Sequence, residues 1–259
     1  MTYWLLKVVL TPLLRFFYRI SVEGGDNVPR GGSVILASNH VSFSDSIFLP
    51  LVLRRRVTFV AKAEYFEDPR TAWFFRAVGQ IPIKRGGGSA SQRALAAARD
   101  VLDGGGIFGI YPEGTRSPDG RLYKGHTGVA RLALGCRAPV LSVAMVGTRE
   151  AQPIGQVKPR LFMPILVRFS EPMYFERFYD HQDDPLVLRQ ITDEIMWKLR
   201  ELSGQEYVNR YAKRGDAVEA VGAETSAVVA ARRADRADRA DRADRADRAD
   251  RAVPASVPA

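Results

Sequence analysis

Residues 33–53 read SVILASNHVSFSDSIFLPLVL, a strand that hands over to a helix through a short polar loop. SVILAS is a compact apolar run with small ends and reads as a short buried strand. From Ser44 to Leu53 the period changes, and Ile47, Phe48, Leu51 and Val52 fall on one helical face. The loop between them, SNHVSFSD, holds the polar residues that a strand end exposes in an α/β sheet.

Working outward, the same alternation recurs. Val57 to Ala61 and Gln80 to Ile83 read as strands, and Ser91 to Leu102 as an alanine-rich helix stopped by Gly104, Gly105 and Gly106. Ile107 to Tyr111 is a strand that runs directly into PEGTRS. A helix follows at Thr127 to Leu134, then strands at Val140 to Val146 and Ile165 to Phe169. A final helix opens at Asp184-Pro185, with Leu188, Ile191, Ile195, Leu199 and Leu202 on one face. Strands alternating with helices imply an α/β fold, a mixed and largely parallel sheet covered by helices.

The chain has 259 residues, 46% of them hydrophobic and 26% charged, which is ordinary globular composition. No charge-free apolar run approaches the roughly 18 residues that read as a bilayer-spanning helix. A single cysteine, Cys136, excludes an internal disulfide and a cysteine-rich metal site, and fits a reducing compartment. The formal net charge is +9. In residues 215–259, where Ala-Asp-Arg triplets repeat, the two signs nearly cancel, so the basic excess belongs to residues 1–214. That excess favours anionic partners: phospholipid surfaces, nucleic acid or phosphorylated small molecules. The repeat lacks large apolar residues and reads as a solvated low-complexity tail.

Residues 1–22 form a third region. MTYWLLKVVLTPLLRFFYRI is apolar except for a few positions, and Lys7, Thr11, Arg15 and Arg19 recur every four residues and make one narrow polar stripe on a helix. With Tyr3, Trp4 and Tyr18 suited to a membrane boundary, the stretch reads as a helix lying in an interface, although a docking helix would share the pattern. Three regions result: the interface helix at 1–22, a catalytic domain at 23–214 and the tail at 215–259. The expected location is the cytoplasmic face of the cell membrane, peripheral or monotopic.

Two groups of residues carry chemistry. His40 lies in the strand-to-helix loop with Asp45 five residues on, and a loop that turns back lets Asp45 orient one ring nitrogen while the other faces the cleft as a base. The same residues also satisfy a helix-capping pattern, Ser42-x-x-Asp45. The second group is Tyr111-Pro-Glu-Gly-Thr-Arg-Ser117. Gly114 permits a tight turn that brings together Glu113, Thr115 and Arg116, whose guanidinium suits bidentate phosphate binding. A surface turn with a local Glu113–Arg116 pair is the alternative. Arg85 and Lys124 are further cations at strand or loop ends, and Arg54 to Arg56 complement a helix end or contact an anion. No P-loop, no GxGxxG and no metal-ligand spacing of His or Cys occurs, and no nucleic-acid recognition element is present.

Taken together, these residues resemble the glycerophospholipid acyltransferase family, and within it the bacterial 1-acylglycerol-3-phosphate acyltransferases. The resemblance rests on Asn39, His40 and Asp45, on Gly79 to Arg85, on PEGTRS after Tyr111 and on Pro139 before VLSV, in the family's order. Pro82, Lys84 and Tyr111 depart from the usual residues. The resemblance implies transfer of an acyl chain from acyl-CoA or acyl carrier protein to the sn-2 hydroxyl of lysophosphatidic acid, giving phosphatidic acid at a membrane surface. It implies no cofactor or metal beyond the thioester co-substrate. In that reading His40 is the base and Asp45 orients it. Arg85, Arg116 and Lys124 bind the acceptor phosphate and Glu113 and Gly114 shape the loop, so that these residues and Thr115 make up the substrate-binding set. Glycerol 3-phosphate, another lysolipid or an acylated glycolipid stays open as acceptor, and a non-enzymatic basic scaffold stays open as a remote reading.

Overall fold

The computed structural model describes residues 2–84, 89–156 and 158–213. Arg85 and the Ala-Asp-Arg tail lie outside the described residues.

Helix α1 (Thr2–Phe17) leads into the edge strand β1 (Arg19–Glu23). The quoted stretch forms β2 (Val34–Ser38) and α2 (Asp45–Val52), followed by β3 (Val57–Thr58) and β4 (Val60–Lys62). Two short helices, α3 (Glu64–Glu67) and α4 (Pro69–Ala77), precede β5 (Ile81–Ile83). Then come α5 (Ala90–Asp103), β6 (Ile107–Ile110), β7 (Leu122–Tyr123), α6 (Gly128–Gly135) and β8 (Val140–Val146). The described chain ends with α7 (Thr148–Ala151), β9 (Pro164–Phe169), α8 (Pro185–Ser203) and β10 (Tyr207–Val208).

Six strands make the main sheet in the order β1-β9-β8-β2-β6-β3, parallel throughout except between β8 and β9. The expected mixed, largely parallel sheet is therefore present. Its central strand β2 is buried along its whole length, and alternate residues feed two cores. Val34 and Leu36 join Phe48, Leu49, Val143 and Val167 on the face covered by α2. Ile35 and Ala37 join Leu102, Val129, Leu188, Ile191 and Ile195 of the helices on the other. Both faces being covered explains why SVILAS shows no polar alternation. Truncating Leu36 to Ala would cost about 2–5 kcal/mol.

Several expectations are corrected here. Val57 to Ala61 is not one strand: the chain leaves the main sheet after Thr58, and β4 pairs with β5 in a separate two-stranded sheet. The Gln80–Ile83 strand accordingly lies outside the main sheet. The N-terminal helix ends at Phe17, and Arg19, assigned to its polar stripe, opens β1 against β9.

The polar stripe of α1 is also turned the other way. Tyr3 is buried, and Lys7 and Thr11 face the protein. The Lys7 ammonium donates to the Pro50 carbonyl at 2.9 Å and to that of Leu53, capping the carboxyl end of α2. Burial lowers its pKa below the ordinary lysine value. Lys7 thus takes the role expected of the Arg54–Arg56 run. Arg55 instead donates to the carbonyls of Pro29, Gly32 and Gly105, while Arg56 lies over the Tyr3 ring. The outward face of α1 carries Trp4, Leu5, Val8, Val9, Leu13 and Phe16, exposed between 47% and 74%. Among the described residues, no helix is long and apolar enough to cross a membrane.

Candidate active site

The site forms at the carboxyl ends of β2, β6 and β8, where an open α/β sheet exposes its loops. The parallel register of β2 and β6 pairs Val34 with Ile107 and Ala37 with Ile110, an offset of 73 residues. Carrying that offset past the strand ends sets His40 beside Glu113. The backbone N–H of His40 does donate to Glu113 Oε1, at 3.2 Å. The neighbouring strand β8 contributes through Asn39, whose amide donates to the Met145 carbonyl at 3.1 Å and accepts from its N–H at 2.7 Å. The side chain prolongs the β2–β8 ladder beyond Ser38, fixing the residue before His40.

His40 Nδ1 lies 2.9 Å from Asp45 Oδ2, and Asp45 is fully buried. The same oxygen accepts the backbone N–H groups of Val41 and Ser42, each at 2.8 Å. Asp45 thus supplies the carboxylate half of the Ser42-x-x-Asp45 pattern while it orients the histidine, whereas Ser42 Oγ donates to the Gln152 carbonyl at 2.8 Å and the residue that caps the helix is Ser44, without a side-chain capping bond. A carboxylate only accepts, so Nδ1 carries the proton and Nε2 keeps the lone pair.

The PEGTRS turn is tied to the same histidine. Ser117 N–H donates to the His40 carbonyl at 2.7 Å, and Gly114, at φ +71°, closes the turn onto the Tyr111 carbonyl. Glu113 is buried and does not pair with Arg116: Oε1 holds the His40 N–H, and Oε2 accepts from Tyr123 N–H at 2.9 Å. Burial pushes its carboxyl up to about 8, against the lowering effect of those two N–H groups. Arg116 sits next to Ser117, half-buried, with no carboxylate partner among the described residues. Thr115 is half-buried in the same turn, and Lys124 lies over the Tyr211 ring at 5.7 Å. The structure therefore gathers His40, Asp45, Glu113, Gly114, Thr115 and Arg116, with Lys124 just after the strand that Glu113 holds.

Three contributors escaped the sequence reading. His126 stacks on Tyr211 with ring centroids 4.5 Å apart, and its Cδ2 lies 3.2 Å from where a Gly114 Cβ would stand. Gln205 accepts from the Asn39 amide at 2.8 Å and donates to the Gly120 carbonyl at 2.6 Å, bracing the loop from beyond α8. No local spacing marks Gln205 or Tyr211, which reach the site only because β10 pairs with β7.

Comparison with known proteins places this geometry. The chain is 32% identical over 140 residues to the chloroplast 1-acyl-sn-glycerol-3-phosphate acyltransferase LPAT1 of Arabidopsis thaliana, covering 54% of this chain and 39% of that one. It is 31% identical over 159 residues to the chloroplast 1-acyl-sn-glycerol-3-phosphate acyltransferase BAT2 of Brassica napus, covering 61% and 46%. The chain thus spans less than half the length of these curated relatives. The crystal structure of the 1-acyl-sn-glycerophosphate acyltransferase PlsC from Thermotoga maritima superposes with a TM-score of 0.58 at 28% identity, covering 76% of each chain. The profile of the Acyltransferase family matches residues 19–146, from the start of β1 to the end of β8. Every strand end that builds the site falls within that span, so the part of the chain that carries the site is the part that matches the Acyltransferase family.

Proposed function

We propose that this protein transfers an acyl chain from an acyl-CoA or acyl carrier protein thioester to the sn-2 hydroxyl of 1-acylglycerol 3-phosphate, producing phosphatidic acid. The observation that carries the reading is a histidine oriented by a buried carboxylate, its carbonyl bonded by Ser117, with the preceding Arg116 half-buried and without a carboxylate partner among the described residues. A thioester is already activated, so no covalent nucleophile is needed. His40 Nε2 takes the proton of the acceptor hydroxyl as its oxygen attacks the thioester carbonyl. Collapse of the tetrahedral intermediate breaks the carbon–sulfur bond, and the imidazolium returns its proton to the departing thiolate. Arg116, with Lys124 and Arg85, holds the acceptor phosphate and so sets the hydroxyl within reach. The curated relatives and the structural neighbour, whose printed names carry this acyltransferase activity, support the assignment.

The outward face of α1 gives the substrates a place to be met. Its apolar side chains, continued by exposed Leu161 and Phe162 beside Phe17, rest in a lipid interface, with Arg15 and Arg19 toward anionic headgroups. The enzyme then works at the membrane surface without extracting its lipids. The test is thiol release from palmitoyl-CoA by the purified protein with lysophosphatidic acid, beside His40→Ala. Release that requires the acceptor and falls about 10²- to 10⁴-fold in the variant is expected. Absence of release with this acceptor would overturn the substrate assignment.

A further inference from the structure

Tyr111 follows β6 directly and opens the PEGTRS turn, and its ring lies flat on the imidazole of His40. The two centroids are 3.8 Å apart and the planes differ by 12°. A third ring, Phe59, stacks on Tyr111 at 5.3 Å and 16°. Phe59 fits there because β6 carries Gly109: a Cβ at that position would lie 2.2 Å from the Phe59 ring. At its far end the Tyr111 hydroxyl makes a 2.8 Å hydrogen bond with Ser46 Oγ, one residue after Asp45. The helix that holds the orienting carboxylate therefore also holds the tyrosine.

We propose that Tyr111 is the positioning residue that sets the plane of the His40 imidazole. One hydrogen bond from Nδ1 to Asp45 leaves the ring free to swivel about that line, which would swing Nε2 away from an acceptor hydroxyl. A ring packed flat against it removes that freedom. Positive charge also forms on the imidazole as it takes the proton, and the negative face of the tyrosine ring lies against it. The phenol itself is no proton donor for the reaction. Its hydroxyl is engaged by Ser46, and burial and the Asp45 charge hold its pKa well above the ordinary tyrosine value.

This assignment rests on the reading of His40 as the base, so the experiment separates the two. Thioester cleavage kinetics are measured for wild type, Tyr111→Leu, Tyr111→Phe and Ser46→Ala, with a melting temperature for each. Tyr111→Leu should lose roughly tenfold to a hundredfold in kcat. Its KM for donor and acceptor should stay within about twofold, and Tyr111→Phe, which keeps the stack, should recover kcat to within about threefold of wild type. Wild-type kcat in a folded Tyr111→Leu protein overturns the proposal, as does a KM that rises in step with the loss. In parallel, the His40 ring protons, assigned against His40→Ala in ¹H–¹³C spectra, should show a high-field ring-current shift kept in Tyr111→Phe and lost in Tyr111→Leu. Absence of that shift in wild type overturns the stack whatever the kinetics. A wild type that shows the shift yet cleaves no thioester overturns the transferase reading instead, and with it the base that Tyr111 would position.

Discussion

The surroundings of His40 and the outer face of α1 are opposites. Around His40, Asn39, Asp45 and Glu113 are buried, and each has an oxygen engaged by a backbone N–H donor from a fixed strand end or turn. On α1, Leu5, Val8 and Phe16 are each exposed by 67% or more, while the helix's own lysine is turned inward. A base must be held in one orientation, which takes hydrogen bonds in a dry setting. A surface that meets a fluid partner needs apolar area and no fixed geometry. The difference teaches that activity and lipid attachment should fail separately.

The sharpest break is at Asp45. Asp45→Asn keeps the shape of the site but not the charge or the Nδ1–H tautomer, and should lower kcat between about 10²- and 10⁴-fold. Vesicle binding, followed by co-flotation with anionic phospholipid, should be unchanged. The converse is a triple change on α1, Leu5→Ser, Val8→Ser and Phe16→Ser. It should weaken vesicle binding on the order of a hundredfold. Cleavage of a water-soluble short-chain thioester should persist, since none of these side chains contacts the catalytic groups. If that cleavage collapses too, the two regions are coupled and the comparison is wrong.

The smallest expected effect concerns Glu113 and is read in stability. Its carboxyl lies at about 8 in the fold against the ordinary 4.5, so the folded protein holds a proton that the unfolded chain has released. The stabilisation from this group is complete below the unfolded value and is lost as pH rises through about 8. Melting temperature should therefore fall by several degrees from about pH 5 to about pH 8 in wild type. Glu113→Gln should melt lower at the acid end, because an amide cannot accept both N–H groups with acceptor oxygens, yet lose less across the interval. An equal slope in both proteins would place the titration elsewhere.

Much of this was legible residue by residue. The run Val34 to Ala37 announced a buried strand because its four positions are apolar, and both cores bear it out. Asp184-Pro185 marked the start of α8, where Asp184 does accept the Leu186 N–H at 2.8 Å. The spacing of His40 and Asp45 allowed the pair but left a capping pattern open beside it, and the loop that turns back brings Nδ1 to 2.9 Å from the carboxylate. The Val57–Ala61 strand was misjudged because β propensity does not say which partner a strand finds, and here the chain changes sheets after Thr58. Arg54 to Arg56 stood at the right place to cap α2, but Lys7 reached it from a helix more than forty residues away.

The sequence by itself therefore determined the longer strands and helices around the site, offered the histidine–aspartate pair and placed the PEGTRS turn, because each depends on residues a few positions apart. Only the tertiary structure decided that Glu113 would hold the His40 backbone, that Tyr111 would lie on the imidazole, and that Gln205 would brace Asn39. It also decided which face of α1 looks outward. These contacts follow from strand register and from the docking of helices, where residues far apart in the chain meet, and local spacing carries no information about either.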